Sequence, residues 1–311
     1  MRFFLFIILF FLTGCSNKIN LTDFRPYFVP KSPNAPKNFT SKIKKISIVK
    51  FPKYLYENID LSKSATYEII TLLQTSRFVK ILRIIDKSKI KDEIKAAEIA
   101  KETNSDIGAD YLIKGTIINA TYTPIYHKGF FYYIKNKKGE KIRKYSPPYY
   151  SYEACVNTNI QILKLPSLNI KFDQTYQSCE DYIDKTDYLR FYSNLLLNAT
   201  KKSIFSSFDD LKKFFAPKGY IYEVRKNDDK IIAKITLGKN QGMSEGLKLN
   251  IYEIKTDKIT GEKETYKIGE AKVSNIIFDN SCWIIIDDNT KNLKIGDFVK
   301  PNFETSFWDI F

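Results

Sequence analysis

Few side chains in this sequence can do chemistry, and they are unevenly placed. Four cysteines (Cys15, Cys155, Cys179, Cys282) and one histidine (His127) are spread over 311 residues. Cys15 ends the run Leu12-Thr13-Gly14-Cys15, which follows Arg2 and an unbroken apolar stretch from Phe3 to Leu12. One charge, a short apolar run and a small-residue exit make an export signal. The run is well short of the roughly 20 residues a transmembrane helix needs. In an exported chain the other thiols can pair. Cys155 and Cys179 flank two alternating stretches, Val156–Leu163 and Ile170–Tyr176, with the turn Pro166-Ser167-Leu168-Asn169 between them. Residues paired across a hairpin have a constant sum, so the two cysteines face each other within one residue, close enough to bridge. Two unbridged thiols are the alternative. Cys282 beside Trp283 reads as a core thiol.

With one histidine and no C-x-x-C, a zinc or iron–sulfur site is not expected. Phosphate-binding glycine loops, G-x-S-x-G and H-E-x-x-H are all missing from the sequence. Asp209-Asp210 and Glu180-Asp181 read as helix-start or loop charges, and His127 as a solvated or stacking residue. The expectation is a non-enzyme with no cofactor and no metal, working by binding and assembly.

The residues ending at Cys15 resemble a bacterial lipobox, where the cysteine receives a diacylglyceryl group and the leader is cut just before it. The resemblance implies a signal peptide at 1–14, with Cys15 as lipidation site and first mature residue. An ordinary cleaved signal is the other reading. Two or more acyl chains anchor stably, at on the order of 0.8 kcal/mol per buried methylene. Ser16 stands where Asp favours inner-membrane retention, which implies an outer-membrane, periplasm-facing lipoprotein. The net charge of +15 suits anionic lipid, lipopolysaccharide or wall polymer. Nucleic acid is not an expected partner of an exported chain. Lysine is abundant throughout, and no lysine cluster stands out along the sequence.

The elements that must carry these residues follow in order. Residues 15–41 hold Pro26, Pro30, Pro33 and Pro36 and are expected to be a tether. Because Phe24, Tyr27 and Phe28 can dock, a strap lying along a domain is the alternative. Lys45–Phe51 reads as a strand, Leu61–Ser76 as a helix, Phe78–Ile85 as a strand, Ser88–Asn104 as a helix and Ala109–Ile118 as a strand. Such alternation implies an α/β sheet covered by helices. Gly108 is expected to supply a positive φ, and Gly115 a close approach to the sheet. Residues 119–154 form an aromatic hairpin turning at Lys137-Lys138-Gly139-Glu140. Its partner-surface candidates are Phe130, Phe131, Tyr132, Tyr133, Tyr149 and Tyr150. Protrusion toward a partner or the membrane interface, bilayer spanning, and partial burial all stay open. A long helix is expected from Asp187 to Phe215 with a break near Ser206-Ser207. Ala216-Pro217-Lys218-Gly219 marks a domain border. Short strands over 217–303 read as a small β-barrel, and 304–311 as a tail. The fold class is therefore α+β, with an α/β domain over 42–216 followed by a small all-β barrel.

The opening KISIVKF strand, the FVKILRIID segment and Gly108-Ala109-Asp110-Tyr111-Leu112-Ile113-Lys114-Gly115 resemble the CsgG-like group of bacterial envelope proteins. That group includes FlgO, FlgT and the N-terminal domain of TolB. Ile84-Ile85-Asp86 stands where the family uses E-R. The pattern Gly238-x-x-x-Gly242-Met243-x-x-Gly246 and the late Ile295-Gly296-Asp297-Phe298-Val299 resemble the C-terminal barrel of FlgT-type proteins. The resemblance implies an outer-membrane-anchored scaffold that assembles with copies of itself or with an envelope machine, the flagellar basal body first. Its alternatives are a curli-like secretion channel component and a lipoprotein activator of a peptidoglycan synthase, which would add peptidoglycan as a partner.

Overall fold

The computed structural model describes residues 18–39, 41–228, 230–290 and 292–303. The expected leader, Cys15 and the tail 304–311 lie outside those residues. The described chain divides into two units: Lys42–Ala216, and the residues up to Ser41 together with those from Pro217.

The segment expected as a tether is a strap on the second unit. Its strand β1 (Arg25–Pro26) pairs antiparallel with Lys226 and Arg225. Ser32 N–H donates to Ile295 O at 2.8 Å and Ile295 N–H to Pro30 O at 2.9 Å. Phe24 is buried against Ile232 and Trp283. The prolines do not keep this stretch free, because each falls where no ladder donor is needed and Phe24 gains apolar contact by docking.

The other unit begins with β2 (Lys44–Val49), a two-residue ladder β3 (Leu55–Tyr56) and β4 (Ile59–Asp60), α1 (Leu61–Ser76), β5 (Val79–Ile85) and α2 (Ile90–Thr103). Five strands follow: β6 (Tyr111–His127), β7 (Phe130–Lys135), β8 (Lys141–Ser146), β9 (Tyr149–Lys164) and β10 (Asn169–Asp184). The unit closes with α3 (Ser193–Ser206) and α4 (Phe208–Phe215). The main sheet runs β10-β9-β6-β2-β5, with β2 parallel to both neighbours and the other pairs antiparallel. α1 starts where the Asp60 carboxylate accepts Ser62 N–H at 3.1 Å, and it stops at Arg77 in the left-handed region. Its stripe Leu61, Ala65, Ile69, Leu72 and Leu73 packs with α3 and α4 on one sheet face, over Ile46, Ile48, Ile113, Ile160 and Ile162. α2 lays Ala97 on the opposite face, against Ile85 and Leu112. Beneath α2 the buried Glu93 accepts from Ser47 Oγ at 2.7 Å and Arg83 Nη1 at 3.0 Å.

Two expectations are corrected here. Gly108 is outside the left-handed region, which the α2 cap Asn104 occupies instead. Gly108 serves packing: a Cβ there would lie 2.7 Å from Ala100 Cβ and 2.8 Å from Ala97 Cα. The expected helix from Asp187 begins only at Ser193, and Leu189 is 64% exposed. The preceding residues are held as a loop by the hydroxyls of Tyr122 and Tyr152. Tyr152 Oη accepts Arg190 N–H at 2.9 Å and Tyr122 Oη accepts Tyr192 N–H at 3.0 Å. The break between the two helices falls at Ser207. Gly115 does allow close approach, since a Cβ there would sit 2.0 Å from Phe51 Cζ.

The second unit is a closed barrel of six strands: β11 (Gly219–Lys226), β12 (Ile231–Ile235), β13 (Lys248–Thr256), β14 (Lys263–Ile277), β15 (Cys282–Ile286) and β16 (Phe298–Pro301). The order β11-β12-β15-β14-β13-β16 returns to β11, which removes free edges. Cys282-Trp283-Ile284-Ile285-Ile286 is apolar without alternation because the strap covers the outer face, burying Trp283, while Cys282 and Ile284 fill the inside. Gly242, Gly246 and Gly296 make the turns at positive φ.

Candidate interaction surface

β6, β9 and β10 are 17, 16 and 16 residues long, whereas β2 pairs only with Tyr111–Lys114 of β6. The rest of β6, with its partners, forms a three-stranded arm. Cys155 and Cys179 are directly opposed on β9 and β10 and form a disulfide, with Cα atoms 4.1 Å apart. A bulge between Ile170 and Phe172 sets that register.

The arm has two unlike faces, as the period-two alternation requires. One is built from aromatic rings. Tyr126 lies 5.1 Å from Tyr150, Tyr150 stacks on Tyr152 at 6.0 Å, and Tyr152 meets Tyr192 at 5.1 Å. Phe191 packs on Tyr122 at 4.8 Å. The Asp184 carboxylate accepts the Tyr192 hydroxyl, and that bond holds its pKa below the usual carboxylate range. The opposite face carries the disulfide, Ser151, and the exposed Ile125 and Ile183. There His127 stacks on Tyr149 at 4.4 Å and its Nε2 bonds Ser151 Oγ at 2.7 Å.

Past His127 the chain continues as a separate two-stranded hairpin, β7–β8, in which Phe130 pairs with Ser146 and Lys135 with Lys141. It turns at Asn136–Glu140, where the Asn136 carboxamide accepts Lys138 and Glu140 N–H at 2.9 Å each and Gly139 takes φ +82°. Phe130 is 53% exposed, Phe131 57%, Tyr132 39% and Tyr133 65%. Tyr149 and Tyr150 are half-buried in the arm, so the six candidates fall into two groups. Sequence reading missed Tyr145 and Ile142, which are exposed on β8, and Arg143, whose guanidinium sits 3.8 Å above the Phe131 ring. It also missed the exposed Tyr188 and Leu189, because their spacing mimics a helix face. The sequence reading also passed over a basic cluster in this stretch. Lys128, Lys135, Lys137, Lys138, Lys141, Arg143 and Lys144 against Glu140 give +6 within 19 residues.

Elsewhere, Cys282 is fully buried and burial pushes its thiol pKa up to about 12, which makes it inert. A cleft in the barrel unit is lined by Phe39, Tyr222, Asn280 and Ser281. Two further hydroxyls in its wall, Ser41 Oγ and Thr236 Oγ1, already bond each other at 2.7 Å.

No family model and no curated protein matches the chain. Among solved structures it is similar to a hypothetical protein from Chlamydia trachomatis (8% identity, 56% of this chain and 98% of that one, TM-score 0.36). It is also similar to a putative neuraminyllactose-binding hemagglutinin homolog from Helicobacter pylori (11%, 59% and 93%, TM-score 0.36). A third is a PelC dodecamer from Paraburkholderia phytofirmans (15%, 53% and 87%, TM-score 0.27). At these TM-scores the likenesses carry no argument.

Proposed function

We propose that this chain is a non-catalytic lipoprotein of the CsgG-like group. Cys15 holds it at the periplasmic face of the outer membrane, and it acts as an assembly scaffold of an envelope machine. The observation that carries the reading is the arm. Three long strands, stapled by a disulfide, expose Ile125 and Ile183 on one face, and the loop after β10 exposes Tyr188 and Leu189 beside the other, apolar groups suited to contact with another macromolecule. The lipobox-like Leu12–Cys15, the Gly108–Gly115 octapeptide and the helix-covered mixed sheet support the family assignment. By that resemblance the machine is the flagellar basal body. Pro124 within β6 and the cations Lys128 and Lys144 argue against the aromatic hairpin over 119–154 as a bilayer-crossing element, since a mid-membrane Lys costs roughly 2–4 kcal/mol.

The test is metabolic labelling with palmitate, followed by affinity purification from gently solubilised envelopes. Label enters the wild-type chain and not Cys15→Ala, and basal-body components copurify with the wild type. An unlabelled chain with its leader intact sinks the anchor, and copurification of none of those components sinks the machine.

A further inference from the structure

We infer that the β7–β8 hairpin is a membrane-interface element that docks on anionic phospholipid. This deepens the envelope reading and rests on it for the presence of a bilayer nearby.

A two-stranded hairpin is marginally stable in water without a packed face. This one packs neither face: Phe130, Phe131, Tyr132, Tyr133, Ile142 and Tyr145 are all exposed, and no strand pairs outside β7 or β8. Something of matching chemistry covers it, and charge decides what. The seven cations make no ion pair with a carboxylate among the described residues, and the single local acid, Glu140, is engaged by Asn136 Nδ2 at 2.7 Å. A second copy of the same hairpin, residues 130–146, would bring its own +5, so self-association here is opposed by charge. A layer of anionic headgroups neutralises the cations and accepts the rings in the same contact. Tyrosine and phenylalanine favour the headgroup–acyl boundary, and the lysine and arginine stems lie along apolar surface while their heads reach phosphate. The arrangement suits this: the cations of Lys135, Lys137, Lys138 and Lys141 bracket the turn, and the rings lie behind them along both strands.

The inference is tested on the full chain, with an environment-sensitive fluorophore on Tyr133→Cys or, as control, on Tyr67→Cys. Tyr67 is a 69% exposed residue of α1. Cys282 is buried and Cys155 and Cys179 are bonded, and wild-type chain treated with the same reagent reports any labelling at Cys15, against which the signal of the new thiol is read. The expected result is a blue shift at position 133 with phosphatidylglycerol-containing vesicles, absent with phosphatidylcholine alone and absent at position 67. Reversing Lys137, Lys138, Lys141 and Lys144 to Glu lowers the lipid affinity read at position 133 by on the order of a hundredfold or more. No shift with either vesicle, or an equal shift with both, overturns the inference. So does a cross-link from position 133 to a protein neighbour without any response to vesicles. Flotation with phosphatidylcholine vesicles reports the acyl anchor separately. A chain that floats but shows no shift at position 133 sinks the hairpin inference alone. A chain that does not float yet responds to phosphatidylglycerol sinks the anchor alone.

Discussion

Asp297 shows how far one residue's role departs from what its motif suggests. Within Ile295-Gly296-Asp297-Phe298-Val299 the sequence assigns it no role of its own. In the barrel it is 1% exposed, and its Oδ2 accepts Lys294 N–H at 2.8 Å. Its Oδ1 has no partner among the described residues. Burial, with Glu253 adding to it, pushes the carboxyl pKa up to about 6. The native state therefore holds this proton where the unfolded chain, with its carboxyl near 3.8, has released it. The stabilisation is fully present below about pH 4 and is lost as pH rises through about 6. Asp297→Asn cannot titrate, so the difference in urea midpoint between wild type and variant changes between pH 4 and 6 and is flat above it. The span is on the order of 3 kcal/mol. Glu253 works in the opposite sense: hydrogen bonding from Lys294 lowers its pKa, so its contribution is lost only as pH falls below the usual glutamate range. A difference that is flat from pH 4 to 7 would refute the assignment. None of this was legible in the sequence, where burial of a single carboxylate leaves no mark. Gly115 was legible, because a glycine inside a strand pattern has few reasons to be there other than close approach. The basic tip was legible too, since its seven cations lie within one contiguous stretch, but the abundance of lysine along the whole chain hid it.

Elements with local causes were readable, and those with distant causes were not. α1 spans the expected Leu61–Ser76 because its apolar spacing, Asp60 cap and stop all lie within the segment. The disulfide followed from counting residues about a turn, and the bulge at Ile170/Phe172 accounts for the last residue of register. The tether and the helix start at Asp187 failed because the groups that decide them lie well outside each segment, although a docked strap was the alternative for the first. Phe24 meets Trp283, and Tyr192 N–H meets Tyr122 Oη. The staple carries a prediction at this scale. Cys155 and Cys179 are 24 residues apart, and closing such a loop contributes about 3–4 kcal/mol through the unfolded chain. The double variant Cys155→Ala/Cys179→Ala unfolds at lower temperature than wild type, and reductant moves the wild-type midpoint toward it. The midpoint of the variant itself does not respond to reductant. A wild-type midpoint indifferent to complete reduction would show that the arm is held by its strands and rings alone.

For the molecule as a whole, the strap changes what the anchor means. A free segment over residues 15–41 would let the barrel unit stand off by up to about 90 Å of extended chain. The strap is instead held from Ile19 onward: Ile19 N–H donates to Asn275 Oδ1 at 2.7 Å, and its side chain packs with Phe24, Ile232 and Trp283. Four residue steps separate Cys15 from Ile19, which is at most about 14 Å even at full extension. With Cys15 acylated, the barrel face bearing Ile19 and Asn275 therefore lies within one short reach of the headgroups. A fluorophore on Asn20→Cys, in full-length protein reconstituted into vesicles, is then quenched by headgroup spin labels. A flexible insertion of about twelve Gly and Ser residues after Ser16 relieves the quenching, because its mean span exceeds the quenching distance. Quenching that survives the insertion would mean the barrel binds the bilayer by its own surface. An Asn20 probe that is never quenched, on a chain that still floats with vesicles, would mean the strap leaves the barrel when the lipid is engaged, and the reach argument would fail with it.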